Sequence, residues 1–159
     1  MTLTPTFPGV VRAVCLIGLL GAFPGVAAAQ CMAPHPVTGQ IVRVREINLP
    51  RTVGIAWALS NVDTTGYPVI TYFAQFFALP PLMQKFSRLH ECAHHHVGPD
   101  EIQANCAALI EMRNQGLTPS QEDFIAQFHI NLGTLPTQYH GSGEEFWQLT
   151  VECAGDRTD

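Results

Sequence analysis

The chain has 159 residues, of which 8 are lysine or arginine and 13 are acidic, and its net charge is −5 at pH 7. Without the N-terminal segment described next, about 130 residues remain, enough for one domain with a single hydrophobic core. The mild acidity and the lack of a basic stripe in the sequence argue against nucleic acid as a partner.

Residues 1–29 have the pattern of a cleavable signal peptide. Arg12 is their only charged residue, and residues 13–26 are apolar. Small residues precede the predicted cleavage after Ala29, so we predict a secreted or periplasmic protein with no stable membrane anchor after cleavage. An alternative is a lipoprotein acylated at Cys31, although glutamine stands where such a site has a small residue.

Four cysteines remain in the mature chain, which is a single domain over residues 30–159: Cys31, Cys92, Cys106 and Cys153. In an exported protein this number favours two disulfides, with three possible pairings that sequence leaves open. The competing interpretation makes Cys92 or Cys106 a metal ligand. On a helix, however, Cys92 lies about 200° round the axis from His90.

Alternation of apolar and polar residues predicts a strand over 40–47, and β-branched or apolar runs predict further strands over 52–59 and 67–73. Pro68 near the start of the third strand predicts an edge position in the sheet. Residues 74–79 fit a helix or a strand equally well.

Helical periodicity and capping signals then predict four helices, over residues 81–97, 101–115, 119–132 and 144–154. The fold class is therefore α+β, with a short N-terminal sheet packed on the first helix and three further helices. Five aromatic residues are predicted to lie in the core: Phe73, Phe76, Phe77, Phe86 and Trp147.

The first predicted helix carries the sequence His90-Glu91-Cys92-Ala93-His94, an HExxH motif. Residues four apart share one face of a helix, so His90 and His94 can bind one metal ion. Glu91 lies one position round the helix and can reach a water at the metal without being a ligand. Two imidazoles and a carboxylate are a typical ligand set of catalytic Zn²⁺.

The third ligand must come from elsewhere. In one group of zinc peptidases, a glycine and a third histidine follow the HExxH motif at fixed spacing, and that histidine is the third ligand. Here Gly98 is one residue late, and Asp100 stands where the histidine would be. Reversal of the chain after the first helix instead brings Glu101 beside His94. Asp100 is the next candidate, followed by Glu144 or Glu145.

Asn105 lies one turn beyond Glu101 and can accept a hydrogen bond from the non-ligating nitrogen of a histidine, which would fix its tautomer. Tyr139 and His140 are candidates for polarising an oxyanion in the reaction. We expect His95 and His96 to be solvated at the helix end, and His35 and His129 to be ordinary, partly exposed histidines.

The HExxH motif, followed by Glu101-Ile102-Gln103-Ala104-Asn105-Cys106-Ala107-Ala108, resembles the gluzincin-type zinc peptidases, especially their small single-domain members. The resemblance covers roughly residues 80–115. It implies a minimal zincin-like fold, Zn²⁺ held by His90, His94 and Glu101, and catalysis by Glu91. Two features depart from the family: the interval between His94 and Glu101 is short, and Asn105 stands where many relatives carry aspartate.

Together these patterns predict an exported zinc-dependent hydrolase, a metallopeptidase that cleaves a peptide or protein substrate with Glu91 as general base. The alternative from another class is a non-catalytic exported zinc-binding or interaction module. A third hypothesis is a disulfide-stapled domain whose histidines bind no metal.

Overall fold

A computed structural model describes residues 30–54, 56–132 and 142–156. The predicted signal peptide and the candidates Tyr139 and His140 lie outside these residues. Within them the chain has the predicted α+β order, a small sheet region followed by four α-helices. None of these helices is long and apolar enough to cross a membrane.

The sheet region consists of a two-stranded and a three-stranded sheet. Strands β1 (Met32–Pro34) and β2 (Ile41–Arg43) form an antiparallel pair. Strand β3 (Arg45–Asn48), β4 (Ala58–Val62) and β5 (Pro68–Tyr72) form the second sheet in the order β3–β5–β4. Strand β3 is parallel to β5, and β4 is antiparallel to it.

Two strand predictions differ from the structure. The run over 40–47 is divided between β2 and β3, because Val44 turns inward, where its N–H donates to the carbonyl of Cys31. The strand predicted over 52–59 is wrong in its bounds. Gly54 has a φ of +52°, a turn conformation that favours glycine, so regular pairing begins only at Ala58.

The predicted edge position of Pro68 is also wrong, since β5 is the central strand of its sheet. Pro68 is the first residue of β5, where a missing N–H is tolerated. The turn before it is fixed by Asp63, whose carboxylate accepts hydrogen bonds from the N–H groups of Thr65 and Tyr67. Residues Ala74–Ala78 form a short 3-10 helix.

The four predicted helices are confirmed: α1 (Pro81–Val97), α2 (Glu101–Asn114), α3 (Pro119–Ile130) and α4 (Gly143–Ala154). Thr118 and Ser142 each form a capping box at the start of α3 and α4. Gly143 is required by close packing, since an added Cβ would collide with the backbone carbonyl of His129.

Helix α1 lies at the centre, packed on α2 and α3 on one side and on the sheets on the other. One core cluster fills the space between the helices, and a second joins β1, β4 and β5. Four of the five predicted core aromatics are buried, but Phe77 is 51 % exposed on the 3-10 helix.

Two disulfides tie the elements together. Cys31–Cys92 joins the segment at β1 to α1, and Cys106–Cys153 joins α2 to α4. This resolves the pairing that the sequence leaves open and removes Cys92 and Cys106 as metal ligands. Disulfides of this kind form and persist in oxidising compartments, outside the cell or in the periplasm.

Candidate metal site

The three predicted ligands converge at the junction of α1 and α2. The Nε2 atoms of His90 and His94 are 3.0 Å apart on one face of α1. A single carboxylate oxygen of Glu101, Oε2, lies 3.1 Å from Nε2 of His90 and 3.5 Å from Nε2 of His94. Among the described residues, this is the one group of three or more histidine, cysteine or acidic side chains able to hold a metal ion.

The spacing of these donor atoms suits a small metal ion. Zinc binds imidazole nitrogen and carboxylate oxygen at about 2.0–2.2 Å, so two ligands at a tetrahedral angle lie roughly 3.3 Å apart. The three separations of 3.0, 3.1 and 3.5 Å bracket that value. The group therefore could bind a metal ion with little rearrangement.

The local sequence explains how Glu101 reaches α1. Gly98 ends α1 with a φ of +79°, a conformation that glycine adopts easily, and Pro99 cannot continue the helix. Asp100 then begins α2 as its N-cap, with its carboxylate accepting from the N–H of Gln103 at 3.0 Å. The chain therefore reverses within three residues, and the first helical residue after the cap is Glu101.

Each histidine is oriented by a hydrogen bond from its other ring nitrogen. Nδ1 of His90 lies 2.7 Å from Oδ1 of Asn105, and Nδ1 of His94 lies 2.7 Å from the carbonyl oxygen of Gly98. Both partners are oxygen acceptors, so both Nδ1 atoms carry the proton. In the neutral imidazoles the lone pair is then on Nε2, where a metal ion can replace the protons that these atoms otherwise share with Glu101.

Without a metal, the electrostatics of the site favour charge on Glu101. Burial is the largest single influence and raises the pKa of the Glu101 carboxyl, but the hydrogen bonds and charges of His90 and His94 together outweigh it and lower that pKa to about 2. Burial is the largest single influence on His94 and opposes its protonation, but the hydrogen bonds to Glu101 and Gly98 and the nearby carboxylates together raise the pKa of His94. A cation bound here would replace the proton that His94 and Glu101 attract.

Glu91 is buried beside this group, with 7 % of its surface exposed. Its Oε2 accepts a hydrogen bond from the Ser60 hydroxyl of β4 at 2.9 Å, and the same hydroxyl contacts the backbone carbonyl of Glu91. Both residues and the three candidate ligands border a cleft of about 820 Å³ between β4 and the helices. This cleft has room for a small substrate or a peptide segment.

The other candidates for the third ligand are placed elsewhere. Asp100 is exposed and serves as the N-cap of α2. Glu144 and Glu145 are exposed in the first turn of α4, where Glu145 accepts a hydrogen bond from the N–H of Ser142. None of the three belongs to the group of potential metal ligands.

The remaining histidines differ from expectation in two cases. His129 is buried rather than partly exposed, stacks on Trp147 and binds the carbonyl of Ile125 through Nδ1. His95 is half-buried against the cleft rather than solvated. His96 is exposed as expected, although its Nε2 lies 2.8 Å from the carbonyl oxygen of Met32.

Sequence reasoning missed two residues that contact the site, Ser60 and Thr150. Ser60 approaches Glu91 from a strand whose bounds were predicted wrongly, and Thr150 binds Asn105 from α4. Neither lies in a motif with the residue that it contacts, so no sequence signal marks them.

Comparison with known proteins gives no relative of the chain. No protein-family model, no curated protein and no solved structure matches it. Its function must therefore be argued from the residues themselves.

Proposed function

We propose that this protein is a zinc-dependent hydrolase, and specifically a metallopeptidase. The observation that carries the proposal is the position of Glu101 Oε2, within 3.5 Å of the Nε2 atoms of both motif histidines. A buried carboxylate that is not part of this triad, Glu91, borders the same cleft. Ligands and a separate general base are the two components that hydrolysis at a catalytic zinc requires.

Zinc is the ion that the donor set favours. Two neutral imidazoles and one carboxylate are typical of catalytic zinc, whereas Ca²⁺ and Mg²⁺ prefer sites made of oxygen ligands. Among the described residues, both cysteines near the site are in disulfides, so soft thiolate ligands are absent from it. Three protein ligands leave a fourth position open for water or substrate.

In the proposed mechanism, Glu91 moves the proton. A zinc ion in such a site supplies Lewis acidity, which lowers the pKa of water to about 7 and polarises a carbonyl group. Glu91 accepts the proton of the attacking water and afterwards donates it to the leaving amine. The Ser60 hydroxyl donates to Oε2 of Glu91, which restrains the carboxylate and leaves Oε1 to take the proton.

The shape of the cleft favours an extended peptide as substrate. Strand β4 borders the cleft and pairs with β5 on one side, while no other described strand pairs with its second side. Leu59 and Val62 of this strand are 48 % and 46 % exposed. A free strand edge can hydrogen-bond to a peptide backbone, and apolar side chains beside it can contact the peptide's side chains.

Export is the second part of the proposal. Two disulfides indicate an oxidising environment. We propose that residues 1–29 are a signal peptide, cleaved after Ala29, and that the enzyme acts in the periplasm or outside the cell.

The test is hydrolysis of a mixed peptide library by the zinc-loaded mature chain, with cleavage followed by mass spectrometry. Glu91→Gln should retain zinc and lose at least 100-fold in rate, roughly the contribution of a general base. Glu144→Gln, which changes an exposed glutamate outside the candidate ligand group, is the matched control and should cleave normally. Bound zinc without any cleavage would instead support a non-catalytic zinc-binding module.

A further inference from the structure

A chain of buried hydrogen bonds leads from His90 to the interior of α4. Nδ1 of His90 lies 2.7 Å from Oδ1 of Asn105, and Nδ2 of Asn105 donates to Oγ1 of Thr150 at 3.3 Å. Oγ1 of Thr150 donates in turn to the carbonyl oxygen of Phe146 at 2.9 Å. Asn105 is 2 % exposed and Thr150 is fully buried, so bulk water cannot replace these contacts.

The donor and the acceptor in each of these hydrogen bonds follow from the last one, which involves the Phe146 carbonyl. The Phe146 carbonyl can only accept, so the single hydroxyl proton of Thr150 is donated to it. Thr150 can then only accept from Asn105, which must present its NH₂ group. The amide oxygen of Asn105 therefore faces His90, whose Nδ1 must carry the proton. In the neutral imidazole that would bind a metal ion, the lone pair of His90 is then on Nε2, the atom that faces His94 and Glu101.

We infer that Thr150 is a positioning residue for the metal site, because its hydroxyl orients the Asn105 amide and thereby fixes the tautomer of His90. Thr150 does not touch the metal or the substrate and acts through Asn105 alone. The inference rests on the proposed metal site, but the state of His90 can be measured without any metal.

The Asn105 amide needs to be oriented because its two ends differ chemically. An aspartate at position 105 would offer oxygen in either orientation, whereas the amide of Asn105 can rotate and present its NH₂ group to His90. In that orientation Nδ1 of His90 would become an acceptor and the proton would move to Nε2, where it blocks metal binding. The Thr150 hydroxyl opposes the rotation, since its proton is committed to Phe146 and it offers Asn105 only an acceptor.

The Cys106–Cys153 disulfide links the two helices that carry Asn105 and Thr150. Cys106 follows Asn105 on α2, and Cys153 lies one turn beyond Thr150 on α4. The covalent link therefore spans the same helix interface as the bond between Asn105 and Thr150. It keeps that weaker, 3.3 Å contact in register.

The first experiment compares the zinc affinity of wild type, Thr150→Val and Thr150→Ser by competition with a chelator. Valine keeps the shape of threonine and removes the hydroxyl, whereas serine keeps the hydroxyl. We expect valine to weaken zinc binding by roughly 10-fold or more, as loss of a ligand's supporting hydrogen bonds does, and serine to bind as wild type. Wild-type affinity in Thr150→Val, or an equal loss in both variants, would overturn the inference.

The second measurement reads the tautomer directly, from the ¹⁵N chemical shifts of His90 in the metal-free chain. The wild type and Thr150→Ser should show a protonated Nδ1, whether or not Nε2 also donates to Glu101, and Thr150→Val should show a fraction of molecules with Nδ1 unprotonated. In an Asn105→Asp background, Thr150→Val should leave the tautomer unchanged, because a carboxylate has no NH₂ group to present. An unchanged tautomer in Thr150→Val with Asn105 intact would contradict the inference.

These two measurements separate failure of the inference from failure of the proposed function. If the wild type binds no zinc, the proposed function fails, yet the ¹⁵N shifts still decide whether Thr150 sets the tautomer of His90. If the wild type binds zinc and Thr150→Val changes neither affinity nor tautomer, only the role of Thr150 is wrong.

Discussion

Oε2 of Glu101 lies 3.1 Å from Nε2 of His90, across the reversal of the chain between α1 and α2. The contact places a carboxylate from one helix over the histidine pair of another. Removing a residue that only hydrogen-bonds to a metal ligand typically weakens metal binding by roughly 10- to 100-fold. Glu101 is a proposed ligand itself, so we expect Glu101→Gln to weaken zinc binding by more than that. Chelator competition measures this loss.

Asp100→Asn is the matched control for Glu101→Gln. It changes the adjacent carboxylate to an amide, but asparagine remains a good N-cap for α2. Its zinc affinity should equal that of the wild type. A larger loss in Asp100→Asn than in Glu101→Gln would move the third ligand to Asp100.

Ser60 supports Glu91 from β4, and its removal should affect catalysis rather than metal binding. In Ser60→Ala the Glu91 carboxylate loses a donor at 2.9 Å, so the oxygen that takes the proton is held less firmly. We expect kcat to fall several-fold with zinc content unchanged, measured on the best peptide of the library. Ser60→Thr keeps the hydroxyl and should retain most activity; equal rates for the alanine variant and the wild type would exclude this role.

His129 should make the folded protein less stable in acid. Burial lowers the pKa of His129 from 6.5 to about 4, and the hydrogen bond to Ile125 only partly opposes this. Between those two pH values the unfolded chain binds a proton that the folded chain does not. The free energy of unfolding is therefore unaffected by His129 above pH 6.5 and falls by up to roughly 3 kcal/mol as the pH drops to 4.

The measurement is the free energy of unfolding by denaturant titration across this pH range, for the wild type and for His129→Phe. Phenylalanine fits the aromatic surroundings of Phe86 and Trp147 and does not titrate. The difference between the two proteins cancels the other titrating groups. A difference that stays constant from pH 7 to 4 would show that His129 is not the group responsible.

The disulfides should contribute stability without contributing ligands. Replacing Cys31 and Cys92 together by serine should lower the free energy of unfolding by about 2–4 kcal/mol, the usual effect of removing such a crosslink. The variant should still bind one zinc ion per chain, as elemental analysis would show. Loss of zinc under conditions where circular dichroism shows a folded chain would mean that Cys92 has a direct role at the metal.

The parts of the site that sequence predicted are local ones. His90, Glu91 and His94 lie within one turn of a helix, and Glu101 follows from a reversal that Gly98 and Pro99 encode. Spacing along the chain therefore predicted the convergence that the structure describes. The helix bounds were predictable for the same reason, because caps and periodicity are local signals.

The parts that sequence missed depend on contacts between distant segments. Pro68 is tolerated in a central strand because it is the first residue of β5. The order of strands in the sheet, which the local sequence does not encode, decides that β5 is central. Ser60 and Thr150 reach the site only through the packing of β4 and α4 against α1 and α2. The pairing of four cysteines likewise depends on the completed fold.

The most direct test of the central claim is the zinc content of the mature chain, purified without a histidine tag and analysed beside His94→Ala. We predict one zinc ion per wild-type chain and little or none in His94→Ala, because Nε2 of His94 lies 3.0 Å from its partner on His90 and 3.5 Å from Glu101. A wild-type chain that takes up no zinc even when the ion is supplied, or equal zinc in both proteins, would contradict the metal site.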